Sequence, residues 1–272
     1  MMKILRCASV LAVMVAVSGC ASAPPAPSLR PKLPNENGYV LSKSALTQQT
    51  SHVQRHLDED KSVVYSQSFG GGGAAVGLLL GPLGVLANIK AIEATTDADM
   101  LILKGQVDPR PVLLFTEVAK AMGWPLLEGA AAAGQPQVTP YVLILKTDTD
   151  ELTIGSVLTI EQGEPVSRWQ YFYVLPTRYT VRQLGALSQT EKDELRNGIK
   201  KGYGELLAFI DAQSPARLAQ EKPASFEAKF LSPMQSFALD GNFIQEADGQ
   251  VWVRAGAAVW ALPKGAIKVS AR

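Results

Sequence analysis

Residues 141–175 read YVLILKTDTDELTIGSVLTIEQGEPVSRWQYFYVL, and this stretch decides the fold. Three runs, Tyr141 to Lys146, Leu152 to Ile160 and Ser167 to Leu175, are rich in β-branched and aromatic residues and read as strands. Thr147-Asp148-Thr149-Asp150 and Glu161-Gln162-Gly163-Glu164-Pro165 separate them with turn chemistry, so antiparallel hairpins are the economical connection. In the third run Trp169, Tyr171 and Tyr173 alternate with Arg168, Gln170 and Phe172, which places the aromatic side chains mainly on one face. Core or sheet surface is the expected use of these rings, ahead of a ligand cage.

Helical patterns flank the three strands. Before them, Val112, Phe115, Val118, Ala119 and Met122 form an apolar stripe that opens at Pro111 and closes at Gly123. After them, Ser188 and Glu191 have capping-box spacing, and Leu195, Ile199, Tyr203, Leu206, Leu207 and Ile210 continue one stripe to about Asp211. An earlier strand is needed to complete the sheet, and either Ser62 to Phe69 or Met100 to Gly105 could supply it. The polar run from Gln213 to Pro223 reads as loop. Beyond it, strands are expected at Asn242 to Glu246, Gln250 to Arg254, Ala257 to Leu262 and Ala266 to Ser270, with Asp248-Gly249 as a hairpin turn. The expected fold is α+β: a mainly antiparallel sheet with helices on one face, plus a small C-terminal β-hairpin appendage. Trp252 and Trp260 are expected to dock that appendage on the body.

The first forty residues carry a different message. Lys3 and Arg6 precede an apolar run from Ala8 to Val17 that is too short to span a bilayer, and Ser18-Gly19-Cys20 follows. Val17-Ser18-Gly19-Cys20 resembles the lipobox of bacterial lipoproteins. The resemblance implies cleavage of residues 1–19 as a signal peptide and acylation of Cys20, by diacylglycerol on the thiol and an amide-linked palmitate-like chain on the new amino group. It also implies an outer-membrane anchor facing the periplasm, because Ala21 and Ser22 stand where family members retained at the inner membrane carry an aspartate. Residues 20–37 include five prolines and read as an extended tether. The domain plan is then a signal peptide at 1–19, a lipidated tether at 20–37, an α+β body at 38–212 and a β-rich region at 225–272. The body only loosely resembles the small α/β domains of envelope lipoproteins, which implies a binding or assembly role and transfers no site residues.

Of the 272 residues, 47% are hydrophobic and 19% charged, and 26 basic residues stand against 25 acidic ones. Without Lys3 and Arg6 the balance is 24 against 25, which offers no basic field for nucleic acid. The two cysteines are Cys7 and Cys20, so the processed body would hold no disulfide, thiol nucleophile or thiolate metal site.

From Ser62 to Ile89 there is no charged residue, and residues 69–89 read FGGGGAAVGLLLGPLGVLANI. A dinucleotide site fits poorly, because the helix would meet Gly81-Pro82 too soon and the glycine frame is incomplete. Two readings stay open. Gly73, Gly77 and Gly81 are four apart and would line one helix face suited to close packing in a bilayer or against a partner, with Pro82 as a bend. Alternatively the segment is a buried helix of the body.

His52 and His56 are four apart and would share a helix face with Asp60 one turn on, but Val53 follows His52 where a zinc protease needs its glutamate. No cofactor or metal is expected. A hydrolase could use strand-end acids such as Asp148, Asp150, Glu161 or Glu164 as acid and base, although turns favour acids for backbone reasons. The favoured expectation is a non-enzymatic, membrane-anchored module that binds another envelope protein; an envelope hydrolase or an oligomeric membrane-inserting assembly are the alternatives.

Overall fold

The structure is a computed structural model that describes residues 38–42, 54–67, 81–127, 129–146, 150–163, 166–228 and 239–272. Its centre is the antiparallel meander expected from residues 141–175, now β5 (Gln137–Lys146), β6 (Glu151–Gln162) and β7 (Ser167–Thr180). The register pairs Val142 with Ser156 and Val157 with Phe172, and the β6–β7 register shifts between Thr153 and Gly155, where β7 carries two extra residues. Residues 152–160 of β6 are all buried, so this strand is covered on both faces.

Short strands add on the outer side of β5: β1 (Tyr39–Leu41), β2 (Gln54–His56), β3 (Val63–Gln67) and β4 (Leu126–Leu127). β1 runs parallel to the first part of β5 and β3 parallel to the second, so one long strand serves two neighbours in turn. β4 then lies parallel to β1, and β2 antiparallel to β3.

Five helices are described: α1 (Gly81–Leu103), α2 (Pro111–Ala121), α3 (Val181–Leu184), α4 (Gln189–Asp211) and α5 (Pro215–Leu218). The fold is α+β with a mostly antiparallel sheet. α4 begins where the capping box was expected: the Ser188 side chain accepts from Glu191 N–H, and Glu191 reaches back to the Ser188 backbone. Its buried stripe, from Leu195 through Ile199, Tyr203 and Leu206 to Ile210, lies in the main core with Ile154, Leu158, Tyr171 and Tyr173 of the sheet. Contact is close at Gly202, where an added Cβ would sit 2.5 Å from Ser156 Oγ. Ser156 Oγ donates to Ile199 O at 3.0 Å, and Tyr203 Oη donates to Tyr141 O at 3.0 Å. On the other face of the sheet, Tyr141, Val157, Phe172 and Trp260 are successive register partners across four strands. Phe172 and Trp260 stack at 5.6 Å.

The C-terminal strands are β8 (Lys222–Glu227), β9 (Leu239–Ala247), β10 (Gln250–Ala255), β11 (Ala258–Pro263) and β12 (Lys268–Ala271). β8 to β11 lie in that order, and β12 returns beside β8 after a 3₁₀ turn at Lys264–Ala266. The unit joins the main sheet by pairing β11 parallel to β7. Trp252 stacks on Phe209 of α4 at 4.6 Å, and Arg254 forms a buried fork with Glu221, so both the apolar and the polar seams are closed.

Two local expectations need correction. Met100 to Leu103 ends α1 and is not a strand: Leu103 closes a buried helical stripe with Ile92, Thr96 and Asp99, while Leu101 and Ile102 are exposed. The strand that joins β5 is Val63–Gln67, within the other expected run, Ser62 to Phe69. The run from Gln213 to Pro223 contains α5, capped by Ser214, and the start of β8.

Candidate functional site

The uncharged stretch is the feature singled out by sequence, and the structure fixes both of its flanks. Its N-terminal flank is β3, whose Val63, Val64 and Tyr65 are buried in the sheet. Its C-terminal flank is α1, where Ile92, Thr96, Asp99 and Leu103 recur at intervals of four, three and four and are all buried. Tyr65 Oη donates to Asp99 Oδ2 at 2.6 Å, and Lys146 Nζ donates to the same oxygen at 2.7 Å. Asp150 closes the far side of the ammonium at 3.0 Å. Thr96 Oγ1 donates to Ile92 O at 2.7 Å and lies 2.9 Å from the Gln67 side-chain amide. Farther out, Arg55 of β2 pairs with Asp97 at 3.0 Å.

The electrostatics of this cluster are those of a clamp. Burial lowers the Lys146 pKa, but the hydrogen bonds to Asp99 and Asp150 outweigh it and hold the ammonium above the ordinary lysine value. Burial and the hydrogen bond to Asp99 push the Tyr65 phenol far up, so it stays neutral and donates. A neutral donor and a cation converging on one carboxylate make a strong fixed contact.

Gly81 and Pro82 open α1, as proline favours in a first turn. Cys20, Gly73, Gly77 and His52 lie outside the described residues, as do Asp148 and Glu164. His56 ends strand β2, so the expected helical face shared by His52, His56 and Asp60 is not formed; Asp60 sits in the turn that joins β2 to β3. Burial lowers the His56 pKa despite the nearby Asp58 carboxylate. Among the described residues, no group of three His, Cys, Asp or Glu side chains could hold a metal ion. Asp150 and Glu161 bracket opposite ends of the extended β6, roughly 35 Å apart, so they form no acid–base pair. Each has its own cation: Lys146 for Asp150, and Arg168 at 2.6 Å for Glu161.

Sequence reading missed the role of Asp99 and Lys146. The signal was present only as an acid placed on the buried stripe of a helix and a lysine closing an apolar strand, and nothing local pairs the two. No helix among the described residues is long and apolar enough to cross a membrane. No protein-family model matches the chain, and no curated protein or solved structure matches it.

Proposed function

We propose that this chain is a lipid-anchored protein of the bacterial envelope that works as a non-enzymatic binding or assembly module, with the glycine-rich segment as its contact. The anchor is Cys20, and the location is the periplasmic side of the outer membrane. The observation that carries the contact is the clamp: the helix that leaves the uncharged stretch is tied to the strand that enters it through Tyr65, Asp99 and Lys146. An apolar segment whose two flanks are fixed on one rigid sheet is offered from a defined place, which lowers the ordering cost of a specific contact. Gly73, Gly77, Gly81 and Pro82 supply the small-residue surface on which a partner backbone can approach closely.

Photo-crosslinking in cells tests this reading. A photoreactive residue at position 77 is expected to give one dominant protein adduct in the envelope, and the same probe at the exposed Val166 is expected not to. Equal adduct patterns from the two positions would contradict the assigned contact.

A further inference from the structure

An open groove of about 1210 Å³ runs along the sheet edge where β1 and β4 meet α2. Its volume exceeds the ~300–1,000 Å³ usual for small-molecule pockets. Leu41, Leu126, Leu127 and Ala131 give it an apolar stretch, and Ser42, Thr116, Lys120 and Gln137 a polar one of similar extent. The floor is preset. Trp124 stacks on Tyr39 at 4.0 Å, meets Phe115 edge-on, and donates from Nε1 to Asp211 Oδ1 at 3.1 Å.

Lys120, in the last turn of α2, is the cation of this groove. It has no ion pair or hydrogen bond among the described residues, and none of the described lining residues is acidic. Lys200, on the neighbouring helix, is by contrast held by Glu117 at 2.6 Å. Thr116 beside Lys120 spends its hydroxyl proton on Val112 O at 2.7 Å. The groove is therefore amphipathic, with an apolar stretch beside a polar one that carries one unmatched positive charge.

We infer that this groove binds a fatty acid, with the acyl chain along Leu41, Leu126 and Leu127 and the carboxylate at Lys120. Charge complementarity selects an anion, and the apolar stretch selects a chain. An extended peptide is the other occupant a sheet edge can take, but it needs a run of free backbone groups. This edge has few: β4 is two residues long, Pro125 has no N–H, and its carbonyl accepts from Tyr39 N at 2.7 Å. Leu126 N–H is already donated to Trp124 O at 2.9 Å. The site is separate from the glycine-rich contact and stands without it.

The test uses the full chain carrying Cys20→Ser in detergent-free buffer, titrated with bromododecanoate, whose bromine quenches indole fluorescence on contact. Saturable quenching is expected. Lys120→Gln is expected to weaken the carboxylate about tenfold and to leave dodecanol unchanged, since only the charged contact is lost. Leu127→Asp is expected to abolish binding of both. Lys120 is exposed, so its variant folds and keeps the test decisive if Leu127→Asp does not. Absence of saturable quenching in the parent chain, equal affinity of the parent and Lys120→Gln for the carboxylate, or displacement of the fatty acid by a polar extended peptide would each overturn the inference.

Discussion

Lys146 Nζ at the end of β5 lies 2.7 Å from Asp99 Oδ2 on α1, and the two side chains are only 9% and 10% exposed. A buried pair of this kind is weak evidence of net stability over an apolar pair, but removing one partner strands the other charge. Asp99→Ala leaves Lys146 only the largely exposed Asp150, so it should cost somewhat less than the ~3–5 kcal/mol of a fully stranded charge, read as a lower midpoint in urea denaturation. The double variant Asp99→Leu with Lys146→Met should recover most of that loss. If the single variant is neutral, the clamp does not hold α1.

The same pair gives a pH dependence with a definite sign. The folded-state pKa of Lys146 is raised, so its contribution is complete below the unfolded lysine value near ~10.4 and is lost as pH rises through the higher folded value. Tyr65 acts in the same direction, because its raised value makes the unfolded chain release that proton first. Denaturation midpoints should fall above about pH 10, and fall less steeply in Lys146→Met. At the acid end His56 matters: its lowered folded value means stability declines as pH drops below ~6.5, and His56→Asn should flatten that decline.

Gly202 and Gly241 test the packing directly. A Cβ at Gly202 would meet Ser156 Oγ at 2.5 Å and Ser156 Cβ at 2.9 Å, so α4 must lift from the sheet to admit it. Gly202→Ala should cost ~1–3 kcal/mol, and Ser156→Gly in the same chain should restore part of it. At Gly241 the added carbon would lie 2.1 Å from the Arg254 carbonyl oxygen, which is backbone and cannot turn aside. Gly241→Ala should separate β9 from β10 and expose that hairpin to limited proteolysis.

Arg254 and Glu221 join the C-terminal strands to the turn after α5. The guanidinium is bidentate on the carboxylate at 3.0 and 3.1 Å, donates to Gln213 Oε1 at 2.8 Å, and both charged side chains are almost fully buried. Glu221→Gln should cost several kcal/mol, with cleavage in 222–272 preceding cleavage of the meander β5 to β7. Simultaneous loss of both regions would show instead that the two unfold as one unit.

The parts of the fold that were legible in sequence are those specified by neighbours. Tyr141 to Leu175 declares three strands by alternation and turns, Ser188 and Glu191 declare a helix start, and Asp248-Gly249 declares a hairpin. β1, β2 and β4 are two or three residues long and take their pairing from β5, β3 and β1 respectively, so no local pattern marks them. The parallel docking of β11 on β7 is a contact between segments ~90 residues apart, a tertiary choice that periodicity does not encode. For the candidate site, the glycine spacing could be read directly, whereas the clamp could not. Asp99 and Lys146 are 47 residues apart and become partners only when α1 lies across β3 and β5. The helical placement of His56 failed for a related reason: Gln54-Arg55-His56 pairs with Val64-Tyr65-Ser66, and that strand partner outweighs the local preference.

The central claim is that the chain is held to the envelope through a lipid on Cys20. Metabolic labelling with an alkyne palmitate, followed by membrane fractionation, tests it most directly. The wild-type chain should carry the label and sediment with the outer membrane, while Cys20→Ala should carry none and leave that fraction. An unlabelled wild-type chain, or a Cys20→Ala chain labelled and sedimenting as before, would contradict the account.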